Sequence, residues 1–285
     1  MNVLIIGKNS YIGSNVKEWL ENKGHSVVEF DVEHEAVTEE IFNGIDSVVH
    51  VAAIVHRKDV KDYDLYKKIN VDLPYSVACQ AKKMGVKQMV FLSSMAVYEG
   101  GKTLKGKVVD QNTPCIPNTL YGRSKLEAEQ VLKPLRDKTF KIAFIRPANV
   151  YGKGCRGAYM DKFKAIIKKL PVIPNAYQNV KQGMLYIDNL CELIRLIIDN
   201  KLDGVFPAQD KRPVSSVELM EQIALALGIK RKKSKFFGFP FKIFRIGLVK
   251  KLYGGIAYDD EYALLDAGDY QIVEFSEGIR QTFEF

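Results

Sequence analysis

The chain reads as a doubly wound α/β protein, a parallel sheet followed by a smaller C-terminal lobe. Two observations predict this. The first half alternates short apolar runs with amphipathic stretches, the pattern of βαβ units whose strands are covered on both faces. After Arg146 the texture changes: glycine, proline and asparagine thicken between residues 147 and 183, and the apolar runs shorten.

Taken in order, residues 3–6 form a fully apolar strand ending at Gly7, and residues 12–20 have helical spacing. A second strand is expected at 27–30, a short helical piece closing at 41–42, and a third strand at 47–51. The stretch 64–84 reads as a helix ended by Gly85. A fourth strand at 87–92, a helix at 119–132 and a fifth strand at 141–145 follow. In the second half, short strands are expected at 185–187 and 205–206, with helices at 188–199, 215–227 and about 241–252. Residues 1–150 are therefore expected to form the parallel-sheet domain. Residues 151–285 are expected to form mainly a substrate lobe, with some segments returning to the first domain. Ligands of such sheets bind outside the C-terminal strand ends.

Composition sets outer bounds. The 285 residues are 47% hydrophobic and 27% charged, ordinary globular usage that excludes a disordered or disulfide-scaffold protein. No run approaches the roughly eighteen apolar residues of a membrane helix. The sequence opens on a strand-like run with no basic leader, and Cys79, Cys115, Cys155 and Cys191 are scattered without metal spacing. A cytoplasmic protein with reduced, mostly buried thiols, no metal and no stable membrane insertion is expected. The net charge is +8, from 42 basic and 34 acidic residues. Lysines are spread along the whole chain, which reads as a solvated surface. The one tight cluster, Lys230, Arg231, Lys232, Lys233 and Lys235, lacks the accompaniments of a nucleic-acid face, so no nucleic-acid partner is expected.

The first chemical signal is Gly7-Lys-Asn-Ser10-Tyr-Ile-Gly13, between the first strand and first helix. A glycine at the strand end permits a tight turn. One at Gly13 lets helix and strand approach, and the N–H groups between them face a diphosphate. Ser10 stands where a middle glycine would be, and its hydroxyl can donate to a phosphate oxygen. Asp31 ends the second strand about twenty residues on, where an acid hydrogen-bonds an adenosine ribose. Its charge repels a 2′-phosphate and so favours NAD, whereas Lys8, inside the turn, pulls towards NADP.

The second signal is Tyr-x-x-x-Lys, which sets a phenol and an ammonium one helical turn apart, so that the cation can lower the phenol's pKa. It occurs four times, as Tyr63/Lys67, Tyr98/Lys102, Tyr121/Lys125 and Tyr177/Lys181, against roughly one or two by chance. Only Tyr121 opens a helix that follows a Pro-rich loop and a strand ending in serines, Met89-Val-Phe-Leu-Ser93-Ser94. The other three pairs read as solvated surface features.

With these, His50-Val-Ala-Ala53, Asn70-Val-Asp, Phe91-Leu-Ser-Ser-Met-Ala-Val-Tyr98, Tyr121-Gly-Arg-Ser-Lys125 and Arg146-Pro-Ala-Asn-Val-Tyr-Gly152 occur in order. Together they resemble the NAD-dependent epimerase/dehydratase branch of the extended short-chain dehydrogenase/reductases, Rossmann-type enzymes, over nearly the whole chain. The resemblance implies that Tyr121 is the catalytic acid/base, that Lys125 supports it and binds the nicotinamide ribose, and that Ser94 polarises the reacting oxygen. It implies that Gly7, Asn9, Ser10, Tyr11, Ile12, Gly13, Asp31, Ala52, Ala53, Asn70 and Pro147 line the NAD. It implies that Ser94, Met95 and Asn149 meet a nucleotide sugar, UDP-linked, and that two copies pair through helices 64–84 and 119–132. One departure is plain: only fourteen residues separate Asp31 from Asp46, where the family usually fits another strand and an adenine-contacting Asp.

After the serine, Met95 and Ala96 hold the places where a 4,6-dehydratase carries carboxylic side chains, so dehydration is not expected. A UDP-hexose 4-epimerase working through a 4-keto intermediate is the leading expectation. A 4-ketoreductase acting on a UDP-4-keto-6-deoxy sugar is the alternative, and an inactive scaffold or sensor a more distant one. Of the remaining residues, His25, His34, His50 and His56 share no metal geometry, and Trp19 is expected to lie against the sheet. Residues 236–253, with Lys242, Arg245, Lys250 and Lys251, read as a core-facing helix, with membrane-surface contact as the alternative.

Overall fold

The computed structural model describes residues 1–55, 62–98, 103–155, 158–243, 247–263 and 268–284. Six strands form one parallel sheet: β1 (Asn2–Ile6), β2 (Ser26–Phe30), β3 (Ser47–His50), β4 (Gln88–Leu92), β5 (Lys141–Pro147) and β6 (Gly204–Ala208). Their spatial order is β6-β5-β4-β3-β1-β2. Because side chains alternate across a strand, the sheet carries two cores. Val3, Ile5, Val49, Val90 and Ile145 face helices α1 (Tyr11–Asn22) and α4 (Ile187–Asp199). Leu4, Ile6, Val48, Met89, Phe91 and Phe144 face α2 (Leu73–Lys83) and α3 (Leu120–Leu132).

The run expected as a small-lobe strand at 205–206 is β6, paired with β5 at the sheet edge. Pro207 fits there, since an edge strand tolerates a missing N–H. At the other edge the short interval has its consequence: only one turn of 3-10 helix, Glu39–Phe42, lies between β2 and β3, and β2 closes the sheet. The long helix expected at 64–84 has three parts, Tyr63–Lys67, a π-helical turn Lys68–Asp72 and α2. Trp19 is half-buried against the core that the sheet shares with α4, its indole N–H donating to Glu192 at 3.0 Å. Of the four cysteines, all free thiols, only Cys191 is fully buried.

The remaining strands are short pairs that build the second lobe. Asn149–Tyr151 runs parallel to Met184–Tyr186, and Val172–Pro174 parallel to Lys232–Ser234. Where one helix was expected at about 241–252, there are two, Lys235–Ile243 and Gly247–Tyr253; residues 244–246 lie outside the described residues. The core-facing expectation for this stretch holds in part: Val249 and Tyr253 are buried in the core and Phe241 and Leu252 pack against it, whereas Phe236 and Leu248 on the outer side are 82% and 68% exposed. No described helix is long and apolar enough to cross a membrane.

Candidate active site

The Gly7–Gly13 turn leaves β1 and enters α1 through a backbone that side chains cannot share. Gly7 has φ +125°, and a Cβ there would lie 2.9 Å from Val51 Cγ2. Ser10 is the N-cap of α1, its Oγ accepting from Gly13 N at 3.0 Å, which leaves the hydroxyl hydrogen available to a ligand. A space of about 380 Å³ opens at this helix N-terminus, lined by Asn9, Ser10, Tyr11, Ser14, Asn15, Lys153 and Gly154. The exposed N–H groups and Lys153 suit a diphosphate. Tyr11 reaches across to the second lobe, where a Cβ on Gly152 would lie 2.7 Å from its hydroxyl.

Asp31 follows β2. Its carboxylate accepts from Glu33 N at 3.0 Å and meets the His34 ring at 3.0 Å, and these hydrogen bonds hold it below the usual carboxylate range. Ala52 N donates to Ile6 O at 3.0 Å, which ties the end of β3 to the turn. Asn70, buried in the π turn, receives Ile54 N at 2.8 Å and donates to Ile54 O and Ser124 Oγ. Its amide thus clamps the β3 loop to α3. Pro147 ends β5, buried. The residues expected to line NAD are therefore compatible with that group, with an open edge beyond β2.

Ser94, Tyr121 and Lys125 come together at the C-terminal end of β4. Ser94 caps a short 3-10 turn, Met95–Val97, its Oγ accepting from Ala96 N at 3.1 Å. Tyr121 lies in the first turn of α3, whose N-cap is Thr119. Burial pushes its phenol up to about 12, while a hydrogen bond with Ser94 pulls it back. The expectation that Lys125 lowers this pKa is not what the geometry provides. Lys125 is buried, donates from Nζ to Leu92 O at 2.7 Å and stands 4.7 Å from the Phe91 ring centroid. Burial lowers it to about 7. Asn149 donates to Gly183 O at 2.9 Å, and Met95 lies buried beside the same main chain.

Three features escaped sequence reasoning. Gly122 sits inside a helix, where glycine costs about 1 kcal/mol; a Cβ there would lie 2.2 Å from Ala96 O. It lets the Tyr121 helix approach the Ser94 loop, and a glycine amid good helix formers was the signal. Glu129, one turn beyond Lys125 on the same face, forms a buried ion pair with Arg146 at 2.5 Å and accepts from Ser93 Oγ at 2.5 Å. Arg146 also donates to Tyr98 at 2.7 Å, so Tyr98 is a buried residue and not a surface one; Lys102, its partner in the spacing, lies outside the described residues. Lys153 is the third.

The other expected surface pairs are engaged elsewhere. Tyr63 donates to Glu127, and Tyr177 donates to Phe241 O at 3.1 Å. His25 pairs with Asp199 at 3.2 Å. His50 is wholly buried with both ring nitrogens unpartnered among the described residues, and burial lowers it to about 3. His56 lies outside the described residues.

The profile of the NAD dependent epimerase/dehydratase family matches residues 3–206, and the chain belongs to that family. It is an enzyme of this NAD-dependent class. It is 27% identical to a UDP-glucose 4-epimerase of Vibrio cholerae, over 99% of this chain and 94% of that one. It is 29% identical to an N-acetyl-α-D-glucosaminyl-diphospho-ditrans,octacis-undecaprenol 4-epimerase of Escherichia coli O157:H7, over 86% of this chain and 77% of that one. Its fold is shared by the UDP-glucuronic acid 4-epimerase of Bacillus cereus, solved with NAD, with a TM-score of 0.77 and 19% identity over 99% and 97% of the two chains.

Proposed function

We propose that the chain is a UDP-hexose 4-epimerase that acts through Ser94, Tyr121 and Lys125. The observation that carries this reading is the Ser94–Tyr121 hydrogen bond at the C-terminal end of β4, with Met95 and Ala96 following. NAD, when bound, supplies the two-electron oxidation of C4 and its reversal. Tyr121 takes the C4 hydroxyl proton and returns it, and Ser94 holds the same oxygen by a hydrogen bond. Lys125, tied to Leu92 O, holds the cofactor's ribose, and the Gly7–Gly13 turn its diphosphate. With no carboxylate at 95 or 96, nothing removes a C5 proton, so the 4-keto sugar is not dehydrated. Asn149 and Met95, both beside Gly183, are assigned to contact the sugar nucleotide. Residues 1–150 bind mainly the cofactor and 151–285 mainly the sugar.

Two observations favour variants. The open edge beyond β2 favours a 4-ketoreductase, in which the cofactor leaves after each turnover. The exposed aromatic surface described below favours a polyprenol carrier for the sugar diphosphate, as the name of the E. coli relative has it. By the same reading two copies pair through α2 and α3, where Tyr75 on α2 and Leu65 just before it are exposed.

The test is to incubate the protein with UDP-glucose and with UDP-N-acetylglucosamine, adding no cofactor. Interconversion with the galacto epimer is expected for one of them. Turnover only when a reduced cofactor and a 4-keto sugar are supplied would replace the epimerase by the reductase.

A further inference from the structure

Residues 230–258 hold nine lysines and arginines and no aspartate or glutamate, so the whole positive excess of the chain resides in this one stretch. The spread of lysines elsewhere is balanced by acids. Within the stretch, the helices Lys235–Ile243 and Gly247–Tyr253 are attached by a narrow inner face. Gly238 lies on the Asn175 backbone, where a Cβ would come within 2.3 Å of Asn175 O. Phe241 meets Tyr253 with ring centroids 5.6 Å apart.

The outer face is apolar. Phe236, Phe237, Phe239, Ile243 and Leu248 are all more than half exposed, and Lys235, Lys242, Lys250 and Lys251 on the same two helices are exposed as well. Beside them lies a cavity of about 620 Å³ lined by Lys105, Lys235 and Lys242 together with Tyr177, Asn179 and Phe239. Five large apolar side chains exposed on two short helices, with the Phe236 and Phe237 rings 5.7 Å apart, mark an interaction surface. Aromatic and aliphatic side chains rimmed by lysine are the chemistry of the boundary between lipid headgroups and acyl chains.

We propose that this surface docks on an anionic phospholipid bilayer, its aromatic side chains entering the headgroup layer and its lysines meeting lipid phosphates. Helices of nine and seven residues are too short to span a bilayer, so the contact is peripheral. Charge argues against a second copy as the occupant: two such faces would bring like charge against like. The docking stands independently of which C4 reaction the enzyme performs.

The full chain is floated on a density gradient with vesicles of phosphatidylcholine alone and of phosphatidylcholine containing phosphatidylglycerol. It rises with the anionic vesicles at low salt, rises much less at high salt, and stays below with the neutral ones. Lys235→Glu and Lys242→Glu each weaken binding at least about fivefold, from roughly 1 kcal/mol per basic residue at an anionic surface. Phe236→Ser combined with Phe239→Ser abolishes flotation while turnover of a soluble nucleotide sugar is unchanged. Failure to float with anionic vesicles overturns the proposal, as does equal flotation of the double serine variant. A dimer that the serine variant converts to monomer, seen by light scattering, also overturns it and gives the face to a second copy.

Discussion

The bed beneath Ser94 and the helices 235–253 treat polar and apolar groups in opposite ways. Below the serine, buried charge is matched: Glu129 receives Arg146 and Ser93, Arg146 also reaches Tyr98, and Lys125 has Leu92 O. On the other surface the apolar groups are the ones without partners, and the charges around them share one sign. A reaction centre needs fixed geometry, and buried, mutually bonded groups supply it because each has one low-energy arrangement. A surface that meets a fluid partner needs only the right mixture of apolar and cationic side chains.

That contrast can be broken or sharpened by substitution. Tyr121→Phe removes the proton carrier and should lower kcat on the order of 10³-fold with little change in cofactor affinity, measured by steady-state turnover and by NAD titration. Near-normal turnover would remove Tyr121 from the chemistry. Glu129→Ala leaves Arg146 without its carboxylate and should cost about 3 kcal/mol, read from urea unfolding; a loss no larger than that of an exposed substitution would mean the pair is not a structural bed. Gly122→Ala puts a Cβ against Ala96 O, so the Ser94 loop must shift. A stability loss of about 2 kcal/mol should outweigh the helix propensity gained, and turnover should fall with it.

A further effect depends on pH. Lys125 is lowered to about 7 by burial, so between pH 7 and its ordinary value near 10.5 the unfolded chain binds more protons than the folded one. Stability contributed at this position therefore rises with pH across that window. Melting curves should show wild type gaining on Lys125→Met from pH 7 to pH 10; a constant difference would place the ammonium's pKa elsewhere.

The sheet was legible because buried strands must be apolar on both faces, as in residues 3–6 and 89–92. The missing strand was legible by counting residues between Asp31 and Asp46. β6 was not, since a run as short as Val205–Phe206 carries no mark of which sheet it joins. The site was legible where spacing within one element sufficed, as for Tyr121 and Lys125 on α3. The Glu129–Arg146 pair depends on α3 meeting β5, which no local pattern states. Nor does a pattern tell which way Phe236 and Phe239 face, because the same residues serve a core or a lipid surface equally well.

The most direct measurement is to denature freshly purified protein and identify the nucleotide it releases. NAD close to one per chain is the predicted result, because a 4-epimerase regenerates its cofactor in every cycle and has no need to release it. Protein that comes away empty, and that then oxidises NADH or NADPH only in the presence of a 4-keto sugar, would contradict the epimerase assignment.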